Sequence, residues 1–111
     1  MNIIKKITVK CIKQDDLTGS DDLHFFINDN FIGRASISSG ETKEFDGASL
    51  IVGGGPIFID PEDEFRIDEF DIADPNDLLF KHKITKSDIQ SRIYSETLDG
   101  NAKYEFTLAF E

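Results

Sequence analysis

Glu69 and Asp71 stand two residues apart where an alternating segment ends, so the two-residue period of a strand aims both carboxylates the same way. Asp77 returns to that region from the far side of the following loop. Carboxylates that converge repel one another, and a divalent cation relieves the repulsion. Calcium takes about six to eight oxygen ligands in flexible geometry, carbonyls and water included, so three or four carboxylates from two loops can hold one ion. Magnesium asks for fewer and stricter contacts. A second acidic stretch, Asp15-Asp16-Leu17-Thr18-Gly19-Ser20-Asp21-Asp22, puts carboxylates on both sides of a Gly-containing turn. In a sandwich the two acidic loops are expected at the same end. The plain alternative is that these carboxylates serve turn hydrogen bonds in solvated connections.

The elements that must hold these loops read as strands. Ile7, Val9 and Cys11 alternate with Thr8, Lys10 and Ile12, the pattern of a strand with one buried face. Leu23, Phe25 and Ile27 continue it as far as Asn28-Asp29-Asn30, residues that tolerate tight turns, and a hairpin partner follows over Phe31 to Ile37. Thr42 to Phe45 reads as a short strand, Asp46-Gly47 as a turn, and Ala48 to Val52 as another strand. Phe65 and Ile67 alternate before the Glu69 loop, and Leu78 to Ile84 follows it. Thr85 with Asp88 three residues on has the form of a capping box and predicts one short helical turn. Ile93 to Leu98 joins Tyr104, Phe106, Leu108 and Phe110 through the hairpin signal Asp99-Gly100. About seven to nine strands with sandwich-like spacing predict an all-β fold of two packed antiparallel sheets.

The whole chain, 1–111, is expected to form one domain, since 111 residues bury one core and are too few to divide. Ten Phe, two Tyr and no Trp supply that core, with many Phe in alternating runs. A formal charge of -10, from 22 acidic and 12 basic side chains, repels phosphate backbones and argues against nucleic acid as a partner. Cys11 is the only cysteine, which excludes an internal disulfide and a multi-cysteine zinc site. Its place in the alternation assigns it a buried apolar role. The apolar stretch after Met1 is too short for a signal sequence and no run reaches membrane-spanning length, so the expectation is a soluble, cytoplasmic protein. Export without a signal, or excision from a longer protein, leaves the same sequence.

Other candidate chemistry is weaker. Gly53-Gly54-Gly55-Pro56 is followed by no Lys-Ser/Thr pair and no helix, so it reads as a bend and not a phosphate cradle. His24 and His82 fall within strand patterns with no Ser, Cys or second His beside them. Paired carboxylates also serve glycosidases, but those need sugar-stacking groups in a cleft, and there is no Trp. No catalytic residue is assigned and no enzymatic activity is expected. Lys5, Lys6, Lys10 and Lys13, and again Lys81, His82, Lys83 and Lys86, form modest basic clusters that read as solvated faces, with a polybasic face for anionic lipid as the alternative.

The run Asp15 to Leu23 resembles the first calcium loop of C2 domains, where an Asp precedes Gly, Ser and Asp just before the second strand. Ile67-Asp68-Glu69-Phe70-Asp71, followed by Asn76-Asp77-Leu78-Leu79, is similar to the third C2 loop, with acidic residues at relative positions 0, 2 and 8. Glu69 stands where Asp is usual, Phe80 replaces the Gly after the loop, and Asp22-Leu23 replaces a Pro-aromatic pair. The resemblance covers roughly a quarter of the chain, and its ordinary turn residues make each motif only moderately specific. It implies a C2-like sandwich and calcium ligands drawn from Asp15 or Asp16, Asp21, Glu69, Asp71 and Asp77. The implied function is a calcium-binding module that engages a protein or, more weakly, an anionic membrane through its ion-bearing loops. The alternative is a calcium-independent interaction or assembly domain that uses a sheet edge or apolar patch, with self-association as one form.

Overall fold

The computed structural model describes residues 2–14, 20–50, 54–70 and 77–111. In chain order the elements are β1 (Asn2–Lys13), β2 (Asp21–Ile27), β3 (Asn30–Ile37), β4 (Thr42–Phe45), α1 (Gly47–Leu50), β5 (Ile57–Ile59), β6 (Glu64–Glu69), β7 (Asp77–Lys83), α2 (Lys86–Ser91), β8 (Ile93–Asp99) and β9 (Lys103–Phe110). The strands form two antiparallel sheets, an all-β sandwich. One sheet runs β4-β1-β9-β8, with β5 beside β4 on the free edge of β1; the other runs β3-β2-β6-β7. At twelve residues β1 is long enough to take both edge partners, β5 along Asn2–Ile4 and β4 along Ile7–Lys10.

The core follows the alternation. Tyr104, Phe106, Leu108 and Phe110 are buried on β9, Ile7, Val9 and Cys11 on β1, Leu23 and Phe25 on β2, and Phe65 and Ile67 on β6. Two bulges explain where the phase changes. The β1–β9 register skips Lys5, so Ile4 reaches the core although Ile7 is three residues on. The β6–β7 register skips Leu79, so Leu79 and Phe80 are buried in succession. Phe80 stacks on Phe106 of the opposite sheet at 4.8 Å and meets Phe65 edge-on at 5.9 Å. A glycine there would leave the centre of the core unfilled.

Local signals hold where expected. Asn28 and Asp29, both at positive φ, turn β2 into β3. Thr85 and Asp88 form a complete capping box at the start of α2, and Arg92 ends that helix in the left-handed region. The strand expected over Ala48 to Val52 is corrected: its described part, 48–50, is helical. Asp46 and Ser49 exchange hydrogen bonds, Ser49 N to Asp46 Oδ1 at 2.9 Å and Asp46 N to Ser49 Oγ at 2.8 Å, and Leu50 N donates to Asp46 O. That local capping favours a helical turn over extension. Ile51 and Val52 lie outside the described residues. β5 was not anticipated, because three residues between Pro56 and Pro61 are too few for a periodic signal. Among the described residues no helix is long and apolar enough to cross a membrane.

Candidate functional site

Strand register gathers one set of acidic residues at one end of the sandwich. On β6, Glu69 faces Leu23 of β2 on one side and Asp77 of β7 on the other. Phe70 N donates to Asp22 O at 2.8 Å, which extends the β2–β6 ladder to the point where both acidic loops leave the sheet. Period two puts Asp21 on the core side of β2 with Leu23 and Phe25, and Glu69 on the core side of β6 with Ile67 and Phe65. Directly opposed residues of an antiparallel pair share a face, so Asp77 takes the same side as Glu69. Asp21, Glu69 and Asp77 thus edge the mouth between the two sheets. Asp21 is buried, Glu69 half-buried and Asp77 exposed.

Asp15, Asp16 and Asp71, the remaining sequence candidates, lie outside the described residues, as does Asp74. Among the described residues no group of three or more His, Cys, Asp or Glu could hold a metal ion. Asp21, Glu69 and Asp77 share one rim and do not by themselves make a metal site. Their carboxylate oxygens are hard donors, the kind calcium and magnesium take, and they exclude a soft thiolate site.

Beneath the rim lies a feature the sequence patterns did not mark. Tyr104 of β9 donates its phenol hydrogen to Asp21 Oδ2, joining the two sheets through buried side chains. Cys11 is opposite Tyr104 in the β1–β9 register. Burial pushes the Tyr104 phenol pKa far up, and the hydrogen bonds and charges of Asp21 and Cys11 push the same way, so the phenol stays a proton donor. Burial also raises the Cys11 thiol, which fits an unreactive core cysteine. The one sequence signal for this contact was a lone hydroxyl in the Tyr104-Phe106-Leu108-Phe110 run, since a buried phenol requires a partner. Nearby, Gln14 Nε2 donates to Ile37 O at 3.1 Å and Gln14 N to Ser39 Oγ at 3.0 Å. These bonds anchor the start of the first acidic loop to the end of β3.

The outer face of the β3-β2-β6-β7 sheet is aromatic and charged. His24 stacks on Phe70 at 4.5 Å with the rings 4° apart, and Phe31 lies 5.3 Å from it. Arg66 sits over the Phe26 ring at 4.3 Å, pairs with Asp68 at 3.1 Å and bonds Asp29. Phe31 and Leu78 remain more than half exposed. His82, at the opposite end from the acidic rim, bonds Asp88 Oδ2 at 2.7 Å and stacks on Tyr94 at 3.5 Å. An open groove of about 470 Å³ beside β1 and β4 is lined by Lys5, Lys6, Glu44 and Asp46, charges of both signs that select no ligand class. No protein-family model matches the chain, and no curated protein matches it.

Proposed function

We propose that the protein is a calcium-binding β-sandwich module, C2-like and without enzymatic activity, that binds a protein or an anionic lipid surface through the acidic loops at one end. The observation that carries this reading is the register Leu23–Glu69–Asp77, which brings Asp21, Glu69 and Asp77 to one rim from which both acidic stretches leave. Asp71 and one of Asp15 or Asp16 would complete the ligand set. Calcium would neutralise the rim and bridge to an anionic group, offsetting the repulsion of a chain with net charge -10. The reading includes a cytoplasmic setting, where sensor sites bind calcium at about 10⁻⁷ to 10⁻⁵ M.

Calorimetric titration of chelator-stripped protein tests it. Heat on adding calcium is expected, together with stabilisation of about 2.7 kcal/mol when calcium exceeds Kd a hundredfold. Asp71→Asn with Asp77→Asn should abolish both. The absence of both heat and a rise in Tm at millimolar calcium would remove calcium from the proposal. Sedimentation with anionic liposomes separates the partner classes: calcium-dependent pelleting identifies lipid, and equal pelleting with and without calcium leaves a protein partner.

The exposed Phe31 beside the His24–Phe70 stack favours a second reading, a calcium-independent protein-interaction domain that uses the outer sheet face. Binding of a protein partner that survives chelation and is lost in Phe31→Ser would favour it.

A further inference from the structure

The edge of a sheet is a row of unpaired backbone donors and acceptors, and folded chains blunt it with short strands, bulges, lysines or covering groups. Among the described residues the edges of this sandwich are blunted, with one exception. β4 has four residues and β5 three. β3 is bulged against β2, and Lys43 Nζ donates to Ser36 O at 2.6 Å. β7 is bulged at Leu79 and carries Lys81 and Lys83. β8, the last strand of the five-stranded sheet, has none of these devices. Its seven residues pair with β9 in unbroken register and include no Gly, Pro or Lys. All of them except Tyr94 and Leu98 are exposed.

Phe110 N donates to Arg92 O at 3.0 Å, which sets the alternation along the ladder. Backbone groups of Tyr94, Glu96 and Leu98 turn to β9, and those of Ile93, Ser95 and Thr97 turn outward. The strand also complements itself. Arg92 stands at its start and Glu96 and Asp99 toward its end, so an antiparallel copy sets a basic start against an acidic end. Opposed residues share a face, so a two-fold pair must set one residue against itself. With Glu96 on the axis two carboxylates would meet, which is unfavourable. With Ser95 there, Ile93 of one copy meets Thr97 of the other. Tyr94 meets Glu96, a side chain its hydroxyl already bonds within the chain at 2.8 Å, and Arg92 lies diagonal to that same Glu96. Thr8, Thr107 and Ser95 form a row of hydroxyls across the sheet, with Ser95 Oγ 3.1 Å from Thr107 Oγ1, and the row would run on across the axis.

We propose that β8 is a dimerisation edge: two copies of the chain pair β8 antiparallel about Ser95 and join their five-stranded sheets into one. The inference does not depend on the calcium reading.

Analytical ultracentrifugation in chelator, over a range of protein concentrations, tests it. The native chain is expected to sediment with twice the mass of one chain and to dissociate on dilution. Thr97→Pro removes an outward N–H and leaves the β8–β9 ladder paired, so a folded monomer is expected at every concentration. Ser95→Lys and Ser95→Glu each set like charges together on the axis and are expected to be monomers alone, whereas their equimolar mixture should regain the doubled mass. Hydrogen exchange at the Ser95 and Thr97 amides should slow as the native chain is concentrated, while the Glu96 amide, bonded to β9, stays protected throughout. A native chain that remains a monomer at millimolar concentration overturns the proposal and leaves the edge to a strand of a different protein. A dimer that survives both Thr97→Pro and Ser95→Lys overturns it in favour of another surface. Should Thr97→Pro fail to fold, the mixture of Ser95→Lys with Ser95→Glu decides, since no gain in mass on mixing overturns pairing about Ser95.

Discussion

Replacing Asp88 by alanine removes one carboxylate that serves two structural ends at once. Its Oδ2 accepts from Thr85 N at 2.9 Å, closing the capping box of α2, and meets His82 Nε2 of β7 at 2.7 Å. The reciprocal bond, Asp88 N to Thr85 Oγ1 at 3.1 Å, uses the backbone and survives. Hydrogen bonds to an ionised group contribute about 1.5–3 kcal/mol each, and half a capping box about 1 kcal/mol. The two contacts share an oxygen and are not additive, so the net loss is about 2 kcal/mol. Unfolding entropy of ~2.1 cal/mol/K per residue over 111 residues converts this to a fall in Tm of about 9 °C. The loss should depend on pH. Burial pushes the Asp88 carboxyl pKa up, but the His82 hydrogen bond, the two Thr85 bonds and the His82 charge outweigh that and hold it below its ordinary value of 3.8. A lowered folded-state value means that the stabilisation is present above the unfolded value and is lost as pH falls through the folded one. Melts of native protein and Asp88→Ala should differ fully at about pH 6 and by less at about pH 2. A difference that is the same at both pH values would refute the assignment to the ionised carboxylate.

Two further substitutions test the packing of the sandwich. An alanine at Gly47 would put its Cβ 1.6 Å from the Gly55 carbonyl oxygen, and backbone cannot swing aside as a side chain can; the expected cost is about 3 kcal/mol or more in urea unfolding, and a loss under about 0.5 kcal/mol would show that α1 does not approach Gly55. Phe80→Ala removes the ring stacked between the two sheets and should cost about 3–5 kcal/mol, read as a lower urea midpoint at unchanged slope, whereas near-native stability would place Phe80 outside the core.

How much was legible beforehand depends on the range of the interaction. The strand run Tyr104 to Phe110, the Asn28-Asp29 turn and the Thr85–Asp88 capping box were readable because their causes lie within a few residues: pleat alternation, left-handed turn residues and a reciprocal cap. The acidic loops were readable as composition, and their common end was an inference from sandwich architecture that the β2–β6–β7 register bears out for the strand ends. The helical turn at Gly47–Leu50 went unread because Asp46 and Ser49 decide between helix and strand by a reciprocal bond that hydrophobic pattern does not encode.

The sequence alone determined that this chain alternates, that it is strongly acidic, and which carboxylates stand beside which turns, because those properties are local. Tertiary structure alone decided that β2 pairs with β6, that Lys5 and Leu79 shift the phase of their strands, and that Tyr104 reaches Asp21 across the core. The physical reason is that pairing partners and cross-sheet contacts are selected by how the two apolar faces close on one another, a global fit that leaves no periodic trace in either strand by itself.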